Sequence, residues 1–124
     1  MLSKRQLQVG ETIKRHFSTV LQTEGSFIYG SPLVTVTNVV LAPDLMLAKI
    51  YLSVYNSDNK QGVILMMEDQ KNRLRQSLGQ RVRKHVRRVP EIDFYLDDTL
   101  DESYRLDALF DRLHQENEMG NEEE

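Results

Sequence analysis

A two-layer α+β domain is predicted by three observations: a helical apolar periodicity that opens on a capping box, two β-branched alternating runs joined by a Pro-Asp turn, and a long amphipathic segment leading to a third alternating run. Ser3 with Gln6 forms the capping box, and Val9, Ile13, Phe17, Val20 and Leu21 recur behind it at helical spacing. A first helix with one buried face should therefore begin at Ser3 and stop at Gly25, a natural C-terminal stop. After Ser31-Pro32, the run Val34 to Val40 alternates and reads as a strand. Pro43-Asp44 makes the turn into a second strand, from about Met46 to Val54. Ala48, Ile50, Leu52 and Val54 lie on one side of it, Lys49, Tyr51 and Ser53 on the other.

Tyr55 to Gly62 is polar and reads as a loop, and Val63 to Met67 starts a helical stretch. Leu74, Leu78, Val82 and Val86 continue it at four-residue steps, as one long helix that Pro90 ends. Ile92, Phe94 and Leu96 alternate with Asp93, Tyr95 and Asp97 in a third strand. The helical crossover implies that this strand runs parallel to the second. Thr99 with Glu102 forms another capping box, and Tyr104, Leu106, Leu109, Phe110 and Leu113 support a final helix. A domain over 1–113 and an acidic, disordered tail over 114–124 are expected.

The 124 residues suffice for one domain with a real core, and no apolar run approaches the roughly 18 residues of a membrane span. The N-terminus lacks the apolar core of a signal peptide, and the absence of cysteine excludes disulfides and thiolate metal sites. These features point to the cytoplasm and to a monomer. The net charge of -3 conceals a strong asymmetry. Residues 1–70 carry six basic and six acidic side chains, residues 71–90 eight basic and none acidic, and residues 91–124 two basic and thirteen acidic. Local fields rather than the total attract phosphate.

No catalytic constellation is present, and neither a cofactor, a metal nor a small-molecule substrate is expected. The histidines His16, His85 and His114 are far apart and lack metal-motif spacing; there is no phosphate loop and no G-x-S-x-G. Asp97, Asp98 and Asp101 would be needed for a metal-dependent hydrolase, but acidic residues at a helix start explain them better. The acid-free helix from Lys71 to Arg88 is the feature that points to function. Arg73, Arg81, Lys84 and Arg88 fall within an arc of about 80° beside the apolar stripe. Arg83 and Arg87 project from the far side, and Arg75 lies within the stripe, where it must snorkel unless the helix phase changes. Like charges at this spacing repel, and an RNA backbone would relieve the repulsion. Tyr51, Tyr55 and Tyr95 are candidate stacking platforms, though packing accounts for them as well. The alternative is a protein-interaction module whose basic helix receives an acidic partner or the chain's own tail.

Several stretches in this order resemble the ribosome-binding factor A family. They are Val39 to Leu45, Ala48 to Val54, Leu74-Arg75 continuing to Arg87-Arg88-Val89-Pro90-Glu91-Ile92-Asp93-Phe94, Asp97 to Asp101, and Arg105-Leu106. The resemblance covers roughly residues 4 to 113 and implies a type II KH-like fold. In that family an interhelical kink, usually Ala-x-Gly, replaces the G-x-x-G loop of KH domains. Here Gln70-Lys71-Asn72 stands at the kink and departs from the pattern. Asn72 occupies the glycine position, and asparagine next best tolerates the left-handed conformation. With a bend there, the helix would restart near Arg73. The resemblance further implies binding to the maturing 30S subunit near the 5′ end and decoding region of 16S rRNA, with a role in late processing and folding, particularly in cold. The candidate contacts are Lys71, Asn72, Arg73, Arg75, Arg81, Arg83, Lys84, Arg87 and Arg88, with Lys4, Arg5, Lys14 and Arg15 on the first helix.

Overall fold

Ser3 accepts the amide of Gln6 while the Gln6 side chain accepts the amide of Ser3, so the capping box forms as the sequence predicts and opens helix α1 (Lys4–Tyr29). This computed structural model describes residues 2–97; the predicted final helix, Asp98, Asp101 and the acidic tail lie outside them. Gln6 has a second role. Its buried side-chain amide donates to the carbonyl of Leu41, at 2.9 Å, tying the helix start to the end of the first strand. Gly10 completes that approach, because a Cβ there would sit 2.9 Å from the Val39 carbonyl oxygen.

α1 does not stop at Gly25, which is buried inside the helix beneath the ring of Tyr29. The helix runs one further turn, with Ile28 and Tyr29 packing on the core edge, and ends at Gly30. Gly30 has φ of 80°, a conformation that glycine adopts without steric cost, and its amide donates to the Ser26 carbonyl.

The sheet has the order β1 (Leu33–Leu41), β2 (Leu47–Tyr55), β3 (Glu91–Leu96), with β1 antiparallel to β2 and β3 parallel to β2, as expected. A bulge at Thr37 shifts the β1–β2 register. The Thr37 hydroxyl donates to the Asp97 carboxylate at 2.6 Å, and the Asp97 amide donates to the Leu52 carbonyl. Asp97 therefore closes the end of the sheet. On the outer face Tyr51 and Tyr95, paired in register, stack with ring centroids 5.4 Å apart.

Helix α2 (Lys60–Asp69) begins three residues before Val63, because the Asn59 side chain caps it by accepting the amide of Gly62. The chain then bends at Gln70, whose backbone (φ -105°, ψ 18°) leaves the helical region, and α3 (Lys71–Val82) follows. The predicted kink is present, but its pivot is Gln70. Asn72 lies inside α3, and Leu45 and Asn56 are the non-glycine residues of positive φ among those described. The acid-free run is likewise not one helix to Pro90. α3 ends at Val82, and residues 83–90 turn back along it and bury Val86 and Pro90. The helices cover one face of the sheet, and Ile13, Phe17, Ile50, Leu52, Leu74 and Leu78 are wholly buried between the layers. Each such side chain contributes about 1.5–3 kcal/mol by its removal from water.

Replacing Leu78 with Ala should cost about 2–5 kcal/mol in urea unfolding, since the cavity cannot be filled from solvent. Replacing the exposed Leu65 with Ala should stay within about 0.5 kcal/mol in the same measurement.

Candidate nucleic-acid interface

The cations of the acid-free run fall into two groups with different partners. Lys71, at the kink, is consumed by the fold. Its ammonium lies 2.8 Å from a Glu68 carboxylate oxygen and 3.0 Å from Asp93. Hydrogen bonding, to Glu68 above all, raises its pKa and keeps it charged. Arg73 donates to Glu24 of α1 at 3.3 Å. Arg75 is the residue that the helical pattern placed within the apolar stripe. Its guanidinium snorkels out to the returning segment, donating to the carbonyls of Pro90 (2.9 Å) and Val89 (2.8 Å), with Glu91 3.5 Å away. Phase restart near Arg73 is not what resolves its position. Val86 belongs to the folded-back segment, so the four-residue periodicity that ended on it is not a helical stripe throughout.

Arg81, at the end of α3, and Arg83, Lys84, Arg87 and Arg88, on the returning segment, are exposed and make no ion pair among the described residues. The arc predicted for Arg73, Arg81, Lys84 and Arg88 dissolves, since the last two are not on the helix. The fold supplies another convergence in its place. Arg5, from the first turn of α1, lines a concavity of about 250 Å³ with Arg87 and Arg88, beside the β1–β2 turn at Asp44. Arg15 and Arg81 both act on His16. Lys4 is exposed and Lys14 half-buried on the same helix. Arg5 and Arg15 thus belong with the late part of the run, and the kink does not.

A groove of about 580 Å³ lies between α3 and the returning segment. Asn72, Gln76 and Gln80, one turn apart, form one wall; Arg87 and Val89 form the other, with Arg83 at its end. Gln76 and Gln80 carry amides that could hydrogen-bond ribose or base edges beside phosphate-binding arginines. Charge counting overlooks such residues, although their four-residue spacing from Asn72 is visible in the sequence.

The histidines were also missed as a group. His16 and His85 are distant in sequence, yet their rings stack with centroids 5.4 Å apart, His85 exposed on the returning segment and His16 on α1. The His16 Nε2 is shut off from solvent without a hydrogen-bond partner, although the ring as a whole is only half-buried. Burial, then the charges of Arg15, His85 and Arg81, hold its pKa below the ordinary 6.5. No local motif could reveal this pair, because packing of α1 on the end of α3 creates it. Among the described residues no three metal-ligating side chains converge, and no helix is long and apolar enough to cross a membrane.

An α-β-β-α-α-β order, a mixed three-stranded sheet and a kinked helix pair define a type II KH-like domain. Residues 5–110 match the family model of ribosome-binding factor A. The chain belongs to the ribosome-binding factor A family. It is similar to the ribosome-binding factor A of Cytophaga hutchinsonii, at 34% identity over 113 residues, which cover 91% of this chain and 85% of that relative. The factor of Chlorobium phaeobacteroides is 31% identical over 118 residues, covering 94% and 100%. The crystal structure of the factor from Thermus thermophilus superposes with a TM-score of 0.62 at 22% identity, covering 73% of this chain and 94% of that one. A homology model of the Thermus thermophilus factor, as fitted into the cryo-EM map of a 30S complex, gives a TM-score of 0.58 at 24% identity, covering 72% and 91%.

The two groups of cations separate in a stability measurement. Arg75→Ala should lower the free energy of urea unfolding by about 1–2 kcal/mol, the low end of the charge-assisted range because the side chain is partly exposed. Arg83→Ala should change it by less than about 0.5 kcal/mol.

Proposed function

We propose that this protein binds the 30S ribosomal subunit through the backbone of folded 16S rRNA and assists 16S processing and late subunit maturation. The observation that carries the reading is that Arg5 meets Arg87 and Arg88 at one concavity and Arg15 and Arg81 act on His16, with Arg83 and Lys84 exposed on the same segment and no ion pair at any of these cations among the described residues. Family membership and the 30S complex of the Thermus thermophilus factor support the ribosomal address. The mechanism is electrostatic docking. Arginines and lysines neutralise phosphates and release counterions, while the amides of the groove supply local hydrogen bonds. No catalytic step is assigned to any residue. The protein acts in this reading as a cytoplasmic monomer, with its greatest importance in cold, where misfolded RNA is slowest to rearrange.

Lys71, Arg73 and Arg75 are partnered within the fold, so their share in RNA binding is small in this reading. Asn72 contributes through the groove wall and not through a left-handed backbone at the kink.

Each cation that neutralises a phosphate adds about 0.7–0.9 to the slope of log K against log salt. Replacing Arg81 and Lys84 with Ala should therefore flatten the slope for 16S rRNA by roughly 1.4–1.8, whereas Lys71→Ala should leave it nearly unchanged. An unaltered slope in the double variant would remove this surface from the interface. In cell extract the protein should sediment with free 30S particles at low salt. Its absence from that fraction would favour a module that binds an acidic protein partner instead.

A further inference from the structure

The RNA-binding reading leaves the stacked histidines unused. Two imidazoles from different elements lie face to face at 5.4 Å, interplanar angle 27°, and the charges of Arg15 of α1 and Arg81 of α3 act on the His16 ring. Resting on that reading, we propose that the His16–His85 pair with Arg15 and Arg81 is a phosphate-binding point of the RNA surface, and that it takes up a proton from solvent when the RNA backbone binds.

The groups that act on His16 are cationic or can become so: Arg15 from its own helix, Arg81 from α3 and His85 from the returning segment, where Lys84 is the neighbouring residue. No carboxylate of the described residues offsets them. Placing a charge on one ring is therefore opposed by two arginines and, once the other ring is charged, by that ring too. In the free protein burial, and then these charges, hold the His16 pKa below its ordinary value, with Nε2 covered.

A phosphate seated against Arg15, Arg81 and the exposed face of His85 reverses the sign of the local field. It favours a protonated imidazole and gives it an acceptor for a charge-assisted hydrogen bond. The two rings are in contact, so a phosphate seated on the exposed ring lies one ring away from His16 and offsets the cationic field of Arg15 and Arg81 there. Linkage makes the effect reciprocal. If RNA raises the affinity of the pair for a proton, acid raises its affinity for RNA by the same factor. Arginine, lysine and phosphodiester groups do not titrate between about pH 6 and pH 8, so only histidines and the α-amino group change charge in that window, and H16Q/H85Q separates the pair from the rest.

The test is fluorescence anisotropy of labelled 16S rRNA with the full chain at constant ionic strength, at about pH 8 and about pH 6. Affinity should rise about fivefold on acidification in the native protein. In H16Q/H85Q that ratio should fall to about one, whatever the absolute affinity. Chemical shifts of the imidazole Cε1 protons in the native protein give a second measure that needs no variant, and the His16 pKa should move up in the complex. The exposed position of His85 makes H85Q a further variant that leaves the core intact.

Binding with the same affinity at both pH values would overturn the inference while leaving the RNA-binding reading standing. A ratio retained in H16Q/H85Q would also overturn it, assigning the effect to another group such as His114. Polyglutamate that gains affinity with acid as RNA does would show a general anion site in place of a phosphate point. Failure to bind 16S rRNA at either pH would remove both readings together.

Discussion

Because β3 lies parallel to β2, the chain leaving Tyr55 must be carried back along the whole sheet before Glu91 can pair with Leu47. Everything between those residues serves that return. α2 and α3 cover the sheet with Val63, Ile64, Met67, Leu74, Leu78 and Val82, and the bend at Gln70 lets the two helices follow different directions over it. A single straight helix over residues 60–82 would span about 35 Å and overshoot a nine-residue strand of about 30 Å. The segment 83–90 covers the remaining distance by folding against α3, and Arg75 fixes that fold by binding the last two carbonyls before β3.

This constraint divides the positive charge by position. Where the crossover must be held together, at the kink and at the entry to β3, the cations face carboxylates or carbonyls and are spent on geometry. Where the crossover is held by Val82, Val86 and Pro90, the flanking cations have no such task and face outward. The same segment brings Arg87 and Arg88 to the first turn of α1, and the end of α3 brings the charge of Arg81, like that of Arg15, to act on His16. A surface assembled from distant parts of the sequence follows directly from the topology.

Much of this architecture was legible in the residues. The capping box, the alternation of β1, β2 and β3, the parallel crossover and the apolar faces of the helices all rest on local rules that the fold obeys. The misreadings occurred where distant contacts override those rules. Gly25 reads as a stop, yet Ile28 and Tyr29 gain enough from the core edge to carry α1 onward. Val86 keeps the helical rhythm by coincidence, because the returning segment presents it to the same core from a different backbone. The site was legible as charge but not as shape. An acid-free run can be counted, but the carboxylates that neutralise its first cations lie outside it, Glu68 of α2 and Asp93 of β3 for Lys71 and Glu24 of α1 for Arg73. The histidine pair joins residues for which no sequence rule predicts proximity.

Gln6 has a wider effect than its capping role. One side chain closes the first turn of α1 and also holds the end of β1, so the helix start cannot fray without releasing the sheet edge. Lys4 and Arg5 therefore project from a backbone that is already ordered, although they lie near a chain terminus. A partner that engages them still arrests two long side chains, but the backbone that carries them is already held. The protein's reach toward a large ligand at this end is then that of a rigid prong, with its angle set by the sheet.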